Sequence, residues 1–368
     1  MTMIQSTNPI PFTGSYRSDD VQFLLKPITL PDTPIELKET LIQSGQKHYS
    51  EMLTRESVPS DDYLTLFNQA MRTNKRRVAH DVILLAHRIY ETRSNGITLI
   101  SLARAGTPIG VLLKHVLKRY FNIEAEHYSI SIIRDIGIDQ NALRHLLQSH
   151  SPETFVFIDG WTGKGSIAEE LASSLQDFTN SDGINIPAEL YVLSDLSGSA
   201  AVSATYEDYL IPSCLLNATV SGLISRSVYD KTAELNGDFH GCVYYQEFTE
   251  HDLSNYFITE ILQEVDAIWP VRPNYIQEAH SKGYWRATSK SLLRQIATYY
   301  GVSHQNYIKP GIGEATRVLL RRIARRLLLQ ELESETTLHL RWLAKTKSVP
   351  VEVYPDLPYH AVALIQEV

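Results

Sequence analysis

Between residues 96 and 195 the sequence alternates between short apolar runs and amphipathic segments, and this alternation restricts the fold more than any other feature. The apolar runs are GITLISL, AEHYSISII, TFVFID and AELYVLSD, and segments with helical periodicity separate them. A longer amphipathic segment at 76–90 precedes the first run. Strand–helix units of this length predict right-handed crossovers and a mainly parallel sheet covered on both faces. The sequence therefore predicts an α/β fold whose ligands bind at the carboxyl ends of the strands.

Composition places the 368-residue chain among globular proteins, with 43% hydrophobic and 21% charged residues. No apolar run approaches the roughly 18 residues that span a bilayer. The amino-terminal stretch has neither a basic nor an apolar leader segment, so we expect a cytoplasmic protein. Cys214 and Cys242 are the two cysteines, and neither belongs to a CxxC pair. A disulfide framework and a structural zinc site are therefore not expected.

Charge is distributed unevenly along the chain. The whole sequence has 34 Lys and Arg against 42 Asp and Glu, whereas the stretch from residue 271 to the end is net basic. Two prolines in IWPVRPNY interrupt the periodicity where the charge changes. We therefore expect an α/β domain at 15–260, a helical connector at 261–300 and a basic domain at 301–368.

The turn after the strand at 154–159 has the composition of an anion-binding site. It reads GWTGKGS and leads directly into a helix, so free backbone N–H groups and the positive end of the helix dipole converge there. We expect a phosphate to be bound by residues of this turn, namely Thr162, Gly163, Lys164, Gly165 and Ser166. Asp159 would accept hydrogen bonds from sugar hydroxyls or hold Mg²⁺.

The stretch FVFIDGWTGKGS resembles the 5-phosphoribosyl-1-pyrophosphate (PRPP) loop of type I phosphoribosyltransferases, although it is shorter and Gly160 replaces the second of the usual paired acids. SLARAGTPIG resembles the pyrophosphate-binding loop of those enzymes. That likeness implies that Arg104 binds pyrophosphate together with Ala105 and Gly106. SISIIRDIGID stands where their mobile hood lies, which implies that Arg134 and Asp135 contact pyrophosphate and metal.

Longer motifs, among them QSGQKHYSEML, DYLIPSCLLNATVSGLISRSV and GDFHGCVYY, extend the likeness over most of residues 14–260. Together they resemble a phosphoribosyltransferase-like bacterial family that is found with tellurium-resistance and stress gene clusters and is also labelled cysteine protease StiP. The resemblance implies a type I phosphoribosyltransferase-like fold and a PRPP-dependent transferase with Mg²⁺. That enzyme would transfer or release a phosphoribosyl group in a stress-linked nucleotide or RNA pathway, with PRPP or a nucleotide as its ligand.

Two other functions stay open at this point. The first is a cysteine peptidase in which His240 activates Cys214 and Asp238 orients His240, although the apolar LIPSCLLNATV stretch is typical of a packed cysteine. If Cys214 is instead only packed, Asn217, Ser221 and Arg226 of the same stretch would line the cleft and contact the base or a nucleobase-like acceptor. The second is a protein without catalysis that senses a nucleotide and presents an RNA-binding module.

The basic C-terminal region reads as turn, helix, strand, helix, strand. It resembles the Pelota and ribosomal-protein type of RNA-binding domain, in which a Gly-x-Asn-Glu-x-x-Lys motif begins a helix. Gly311, Glu314 and Arg317 match that motif and Gly313 replaces the Asn. Arg321 lies one turn further along the same face. The resemblance implies that this domain binds structured RNA, and a homodimer is a further expectation.

Overall fold

The computed structural model describes residues 12–93, 95–271 and 281–367. The strands in chain order are β1 (Gln22–Leu24), β2 (Lys26–Pro27), β3 (Thr98–Ala103), β4 (Glu126–Ile133), β5 (Gly137–Ile138), β6 (Phe155–Thr162), β7 (Leu190–Asp195), β8 (Val202–Thr205), β9 (Gly241–Cys242), β10 (Ile308–Pro310), β11 (Ala324–Leu329), β12 (Val351–Val353) and β13 (Ala361–Ile365). The α-helices are α1 (Ile35–Gln43), α2 (Asp61–Thr92), α3 (Gly106–Phe121), α4 (Gln140–Leu146), α5 (Ser166–Asp182), α6 (Lys231–Leu235), α7 (Ser254–Ile268), α8 (Lys282–Tyr300), α9 (Ile312–Arg321) and α10 (Leu338–Thr346).

A seven-stranded sheet organises the first module. Its order is β1-β4-β3-β6-β7-β8, all neighbours are parallel, and β5 folds back antiparallel on β4. Successive residues of β3 point to opposite faces, so Leu99 enters the core beneath α2, α3 and α7 while Ile100 enters the core beneath α4 and α5. Both faces of the central strands are therefore covered, as expected for a parallel sheet.

Helix α2 begins fifteen residues before the segment from which the sequence predicted it. The Ser60 side chain accepts a hydrogen bond from the Tyr63 amide at 3.3 Å and so caps the helix. Asp61 and Asp62 follow at the positive end of the helix dipole. These start signals are local, whereas the apolar stripe is continuous only from Val78 onward.

The second module is built on a four-stranded sheet in the order β10-β13-β11-β12. Helix α8 packs on one face, where Leu292 and Ile296 meet Leu328 and Leu364. Helices α9 and α10 lie on the other face, and buried residues of α9 belong to the same core cluster as α2 and β6. The two modules therefore share apolar packing along α9.

The structure confirms the predicted mixed α/β architecture with a mostly parallel central sheet. The narrower likeness to type I phosphoribosyltransferases stays a prediction. Within the expected connector, α7 and α8 flank residues 272–280, which lie outside the described residues. Strand β13, which occupies the middle of the small sheet, was missing from the predicted pattern. In the described ranges no helix is long and apolar enough to cross a membrane.

Candidate active site

A cleft between the two modules lies at the carboxyl ends of the parallel strands. Its outer cavity has a volume of about 430 Å³ and its inner cavity about 240 Å³. Both cavities are lined by Asp159 and Trp161 of the first module and by Arg317 and Arg321 of α9. We call the two cavities together the cationic cleft.

Positive charge dominates the walls of the outer cavity. Asp159 and Glu314 are its carboxylates among the described residues, against eight Lys and Arg residues. These eight are Lys38, Arg134, Lys164, Arg226, Lys309, Arg317, Arg321 and Arg322. Burial and neighbouring cations lower the pKa of Lys164 to about 7 and that of Lys309 to about 8. Such a site favours an anionic ligand, because bound negative charge would relieve the mutual repulsion of the cations.

The predicted anion-binding turn lies on the wall of the outer cavity at the start of α5. Thr162 is still part of β6, and its hydroxyl is bonded to Asp195 and to Ser197 Oγ, so it is engaged within the protein. The Lys164 ammonium donates to the Gln305 carbonyl at 3.0 Å and to Asn306 Oδ1 at 2.8 Å in the second module.

The three other predicted turn residues, Gly163, Gly165 and Ser166, also line the outer cavity. Gly165 has φ +91°, a conformation that favours glycine. A Cβ on Gly163 would lie 2.8 Å from Glu314 Cγ, so the second module closely covers this part of the turn.

Asp159 lies on β6 and is nearly buried, at 8% exposure. Burial raises its pKa to about 6, and the Arg317 guanidinium limits the rise. One of its oxygens accepts the Gly160 amide proton at 2.7 Å. Asp159 therefore gains or loses a proton close to neutral pH, which is the property of a general acid or base.

Arg104 lines the inner cavity with Ala105, immediately after β3. Its guanidinium donates to Glu56 Oε1 at 2.5 Å and to the Ile224 carbonyl at 2.6 Å. Burial opposes ionisation of Glu56, but Arg104 outweighs it and lowers the pKa of the Glu56 carboxyl. Gly106 faces β6 rather than the cavity, and a Cβ there would lie 2.2 Å from the Ile158 carbonyl oxygen. The loop therefore supplies one cation to the cleft and packs tightly on the sheet behind it.

The turn between β4 and β5 contributes Arg134 but not Asp135 to the outer cavity. The Arg134 Nε donates to Asp135 Oδ2 at 3.2 Å, and its guanidinium lies 5.8 Å from the centre of the Tyr49 ring. Asp135 has a side chain that is 64% exposed and a left-handed backbone with φ +69°. Of this predicted pair, the cation faces the cleft.

The residues expected to bind RNA lie at the interface between the modules. A Cβ on Gly311 would be 2.4 Å from Leu196, and one on Gly313 would be 2.4 Å from the Trp161 ring. The start of α9 therefore approaches the first module so closely that glycine is needed at both positions. Gly311 also has φ +88°.

The charged residues of α9 point into the cleft. Arg317 donates to Glu314 Oε1 at 2.8 Å and lies over the Trp161 ring, 4.3 Å from its centre. Arg321 is hydrogen-bonded to Asn217 of the first module. Burial opposes ionisation of Glu314, but Arg317 and Lys309 outweigh it and lower the pKa of that carboxyl. The predicted RNA-binding set is thus brought together with the predicted anion-binding turn.

Cys214 lies on the wall of the inner cavity with 6% exposure. Burial raises the pKa of its thiol to about 12, while the charge of Arg317 limits the rise. Asn217 and Ser221 line the same cavity, as the sequence suggested. Cys242 is fully buried in β9 and is not among the described residues that line the outer or the inner cavity.

Thr316, a neighbour of the Cys214 thiol, is hydrogen-bonded to His339. Thr316 Oγ1 donates its single proton to the Ile312 carbonyl at 2.8 Å, so at 2.9 Å it accepts from His339 Nε2. We therefore assign the unprotonated nitrogen of His339 to Nδ1, which is buried without a partner. Burial lowers the pKa of His339 to about 3, so this ring stays neutral and orients Thr316.

The structure does not bring His240 and Asp238 to Cys214. The His240 ring is bonded to Ser131 Oγ on β4 at 2.8 Å, whereas Cys214 lines a small cavity with Trp161 of β6. Among the described residues that line the inner cavity with Cys214, His240 is not present. Asp238 forms an ion pair with Lys26 at 2.5 Å. The three side chains of the expected peptidase set are therefore distributed over two sites.

Of the two carboxylates expected near a metal ion, Asp159 lines the outer cavity and Asp135 does not. In residues 12–93, 95–271 and 281–367 no group of three or more His, Cys, Asp or Glu side chains is arranged to hold a metal ion. The expected Mg²⁺ site stays a prediction.

Several cleft residues escaped the sequence reasoning. Tyr49 and Lys38 lie in the N-terminal segment, before the region of alternating strands and helices. Glu56 lies in the same segment and forms an ion pair with Arg104. Trp161 had a local signal, because a large aromatic inside a glycine-rich turn must be packed against something. The other three are placed only by tertiary contacts.

Comparison with known proteins assigns both modules. Residues 14–262 match the family described as "Tellurite-like stress resistance cysteine protease StiP". This chain belongs to the StiP family. It is also 40% identical to the "Cysteine protease StiP" of Acinetobacter baylyi over 97% of this chain and 94% of that protein. Residues 287–367 match the family described as "PELOTA RNA binding domain", which suggests that this StiP-family chain binds RNA.

These findings correct the main functional expectation. We expected a PRPP-dependent phosphoribosyltransferase, a glycosyltransferase by class, and that prediction is wrong. The matching family and the 40% identical relative are both named as cysteine protease, which is a hydrolase. The association with stress resistance and the Pelota domain are supported. The glycine-rich turn and the cations that led to the transferase prediction do line the cleft, but the matching family carries the name of another class of enzyme.

Proposed function

We propose that this protein is a cysteine peptidase in which Cys214 is the nucleophile and the cationic cleft binds an acidic stretch of the polypeptide substrate. The observation that carries the proposal is the position of Cys214 on the wall of the inner cavity, which Arg104, Arg317 and Arg321 also line. Cys242, the other cysteine, is fully buried in β9. The name of the Acinetobacter baylyi relative supports the same class of reaction.

A base is needed because the raised pKa of Cys214 keeps the thiol protonated at neutral pH. Among the described residues of the inner cavity there is no histidine. Asp159 lines the same cavity, and its pKa of about 6 leaves it ionised at neutral pH, so it can accept the thiol proton while the bond from sulfur to the carbonyl carbon forms. We therefore assign the proton transfer to Asp159.

The reaction then follows the usual course of thiol acyl transfer. The Cys214 sulfur attacks the scissile carbonyl carbon and its proton passes to the Asp159 carboxylate. Negative charge develops on the carbonyl oxygen, where the guanidinium groups of Arg317 and Arg321 stabilise it. The C–N bond breaks, and the leaving amine takes the proton from Asp159. Water hydrolyses the thioester, releasing the carboxylic acid and the thiol.

The outer cavity determines which substrates fit. Lys164 and Arg134 lie there beside the amino terminus of α5, where Gly165 and Ser166 begin the helix. Carboxylate or phosphate groups of the substrate would bind at this point, because backbone N–H groups and two cations face them.

The division of the chain into a domain at 15–260, a connector at 261–300 and a domain at 301–368 is part of this proposal, with the cleft formed between the two domains.

The test compares wild-type protein with Cys214→Ser and Cys242→Ser on a fluorogenic peptide library that contains acidic and phosphorylated sequences. We expect Cys214→Ser to lose activity by a factor of roughly 10³ or more, because the nucleophile is removed. Cys242→Ser, the matched control, should keep its activity per folded molecule. Hydrolysis that persists in Cys214→Ser would contradict the assignment.

A further inference from the structure

A third cavity continues the cationic cleft. It has a volume of about 470 Å³ and is lined by Lys38, Arg55 and Lys347; we call it the side cavity. Arg226 and Arg321 line all three cavities, so the outer, inner and side cavities meet at these two residues. A path therefore runs through the interface between the modules and passes the wall on which Cys214 lies.

The cations in the middle of this path are not neutralised by hydrogen-bonded carboxylates in the described part of the chain. The Arg226 guanidinium donates to the main-chain oxygens of Tyr49, Met52 and Ser227, and Arg321 donates to the amide oxygen of Asn217. Burial and the neighbouring arginines together lower the pKa of Arg321 to about 9, and Glu56 opposes the fall. Glu56, the carboxylate that lines the side cavity among the described residues, accepts a hydrogen bond from Arg104 and is also near Arg226 and Arg321. Three arginines around one carboxylate leave positive charge that an extended anion would balance.

Flat groups accompany the charges. Arg317 lies 4.3 Å from the centre of the Trp161 ring, and Arg226 lies 5.4 Å from that of Tyr49. Aromatic rings and guanidinium planes along a positively charged groove are the means by which proteins bind single-stranded nucleic acid. A duplex does not fit this arrangement, because the modules meet closely where Gly163 faces Glu314.

We propose that a single-stranded segment of RNA binds along this path, with its phosphates contacting cations of both modules. RNA is favoured over an acidic peptide because Lys309, Arg317 and Arg321 belong to residues 287–367, which match an RNA-binding domain. The new element is the contribution of the first module, which supplies Lys164 and Arg134 to the same path. This site does not depend on whether Cys214 is catalytic.

Bound RNA would also cover Cys214. The inner cavity, where the thiol lies, joins the outer and side cavities at Arg226 and Arg321, so a strand that passes these arginines crosses the mouth of the inner cavity. RNA and a polypeptide substrate would then exclude each other.

The experiment measures binding of a fluorescein-labelled, unstructured oligoribonucleotide of about ten nucleotides by fluorescence anisotropy at several salt concentrations. We compare full-length wild-type protein with Lys164→Ala and Arg134→Gln, both in the first module. Lys231→Ala, an exposed lysine of α6, is the matched control. Alkylation of Cys214 by iodoacetamide is followed by mass spectrometry in a Cys242→Ser background, with and without the oligonucleotide.

We expect each cleft variant to bind about tenfold more weakly, as for the loss of one charge-assisted contact, with the salt slope reduced by about 0.7. Lys231→Ala should bind like wild type, and RNA should slow alkylation of Cys214. RNA binding that is unaffected by both cleft variants would overturn the proposal, since the RNA would then lie outside the path. Binding of an acidic peptide but not of RNA would overturn it as well. Because no hydrolysis is measured, these outcomes are independent of the peptidase proposal.

Discussion

Asp208 offers a quantitative test of how the two modules are held together. It follows β8 in the first module, and its carboxylate accepts hydrogen bonds from two amides of the second module. The Ile312 amide at the start of α9 donates to Oδ1 at 2.9 Å, and the His360 amide before β13 donates to Oδ2 at 2.9 Å. Replacement by Asn keeps the shape but turns an NH₂ group toward one of these donors. The lost bond should cost about 1–3 kcal/mol.

The cost should depend on pH. Burial raises the pKa of Asp208 to about 6, from an ordinary value of 3.8, and the bonds from Ile312 and His360 oppose the rise. Because the folded pKa lies above the unfolded pKa, the folded protein holds the proton more tightly, and the free energy of unfolding falls as pH rises through this range. Between about pH 5 and about pH 7.5 the free energy of unfolding should fall by about 1.4 kcal/mol, the equivalent of one pK unit. Asp208→Asn should not show this fall, because the Asn side chain does not titrate.

The assay is urea unfolding of wild-type protein and Asp208→Asn at both pH values, followed by tryptophan fluorescence. The difference between the two proteins cancels the titration of other groups such as Asp159. We expect the variant's deficit in the free energy of unfolding to be smaller at the higher pH by about 1.4 kcal/mol. Parallel pH profiles would refute the reasoning, because they would mean that Asp208 does not titrate between these values.

Three further predictions follow from the cleft. The peptidase kcat/KM should rise with pH through about 6 as Asp159 ionises. Asp159→Asn should abolish this rise and lower the rate by a factor of about 10²–10⁴. A pH profile of Asp159→Asn identical to that of wild type would mean that another residue is the base. Gly313→Ala places a Cβ 2.4 Å from the Trp161 ring, an overpacking that should cost roughly 1–3 kcal/mol of stability. The melting temperature measured by calorimetry should therefore fall by several degrees, and a wild-type value would contradict the close packing. Anion binding at about pH 7.5 should raise the pKa of Lys164, which is about 7 without the anion, so the protein should take up protons from the buffer on binding. The binding enthalpy should therefore vary with the ionisation enthalpy of the buffer, and an enthalpy that does not vary would contradict this prediction.

Much of the first module could be predicted because its elements carry their own periodicity. The strand predicted at 125–133 is observed as β4 at Glu126–Ile133, and the helix predicted at 107–121 is observed as α3 at Gly106–Phe121. Strand β6 continues to Thr162, three residues beyond the predicted end, because Gly160–Thr162 pair with β7 despite their loop-like composition. Strand β13, AVALI, is buried on both faces and therefore lacks the alternation that reveals a half-exposed strand.

The site was predictable only in parts. Lys164 was identified from local composition, and Arg104 and Arg317 were identified from family resemblance; the structure brings all three to one cleft. The pairing of Cys214 with His240 depends on which strands lie between them, and a single sequence does not show sheet order. The reaction class could not be predicted from the cations alone, because a cation-rich cleft suits a transferase and a peptidase of acidic substrates equally well.

The central claim is that Cys214 is the reactive thiol of the cationic cleft. The most direct measurement is covalent labelling of full-length protein with an acidic peptidyl chloromethyl ketone, followed by digestion and mass spectrometry. We expect label on Cys214, none on Cys242, loss of label in Cys214→Ser and slower labelling in Asp159→Asn. Label confined to Cys242, or hydrolysis of the parent peptide with no label on Cys214, would contradict it.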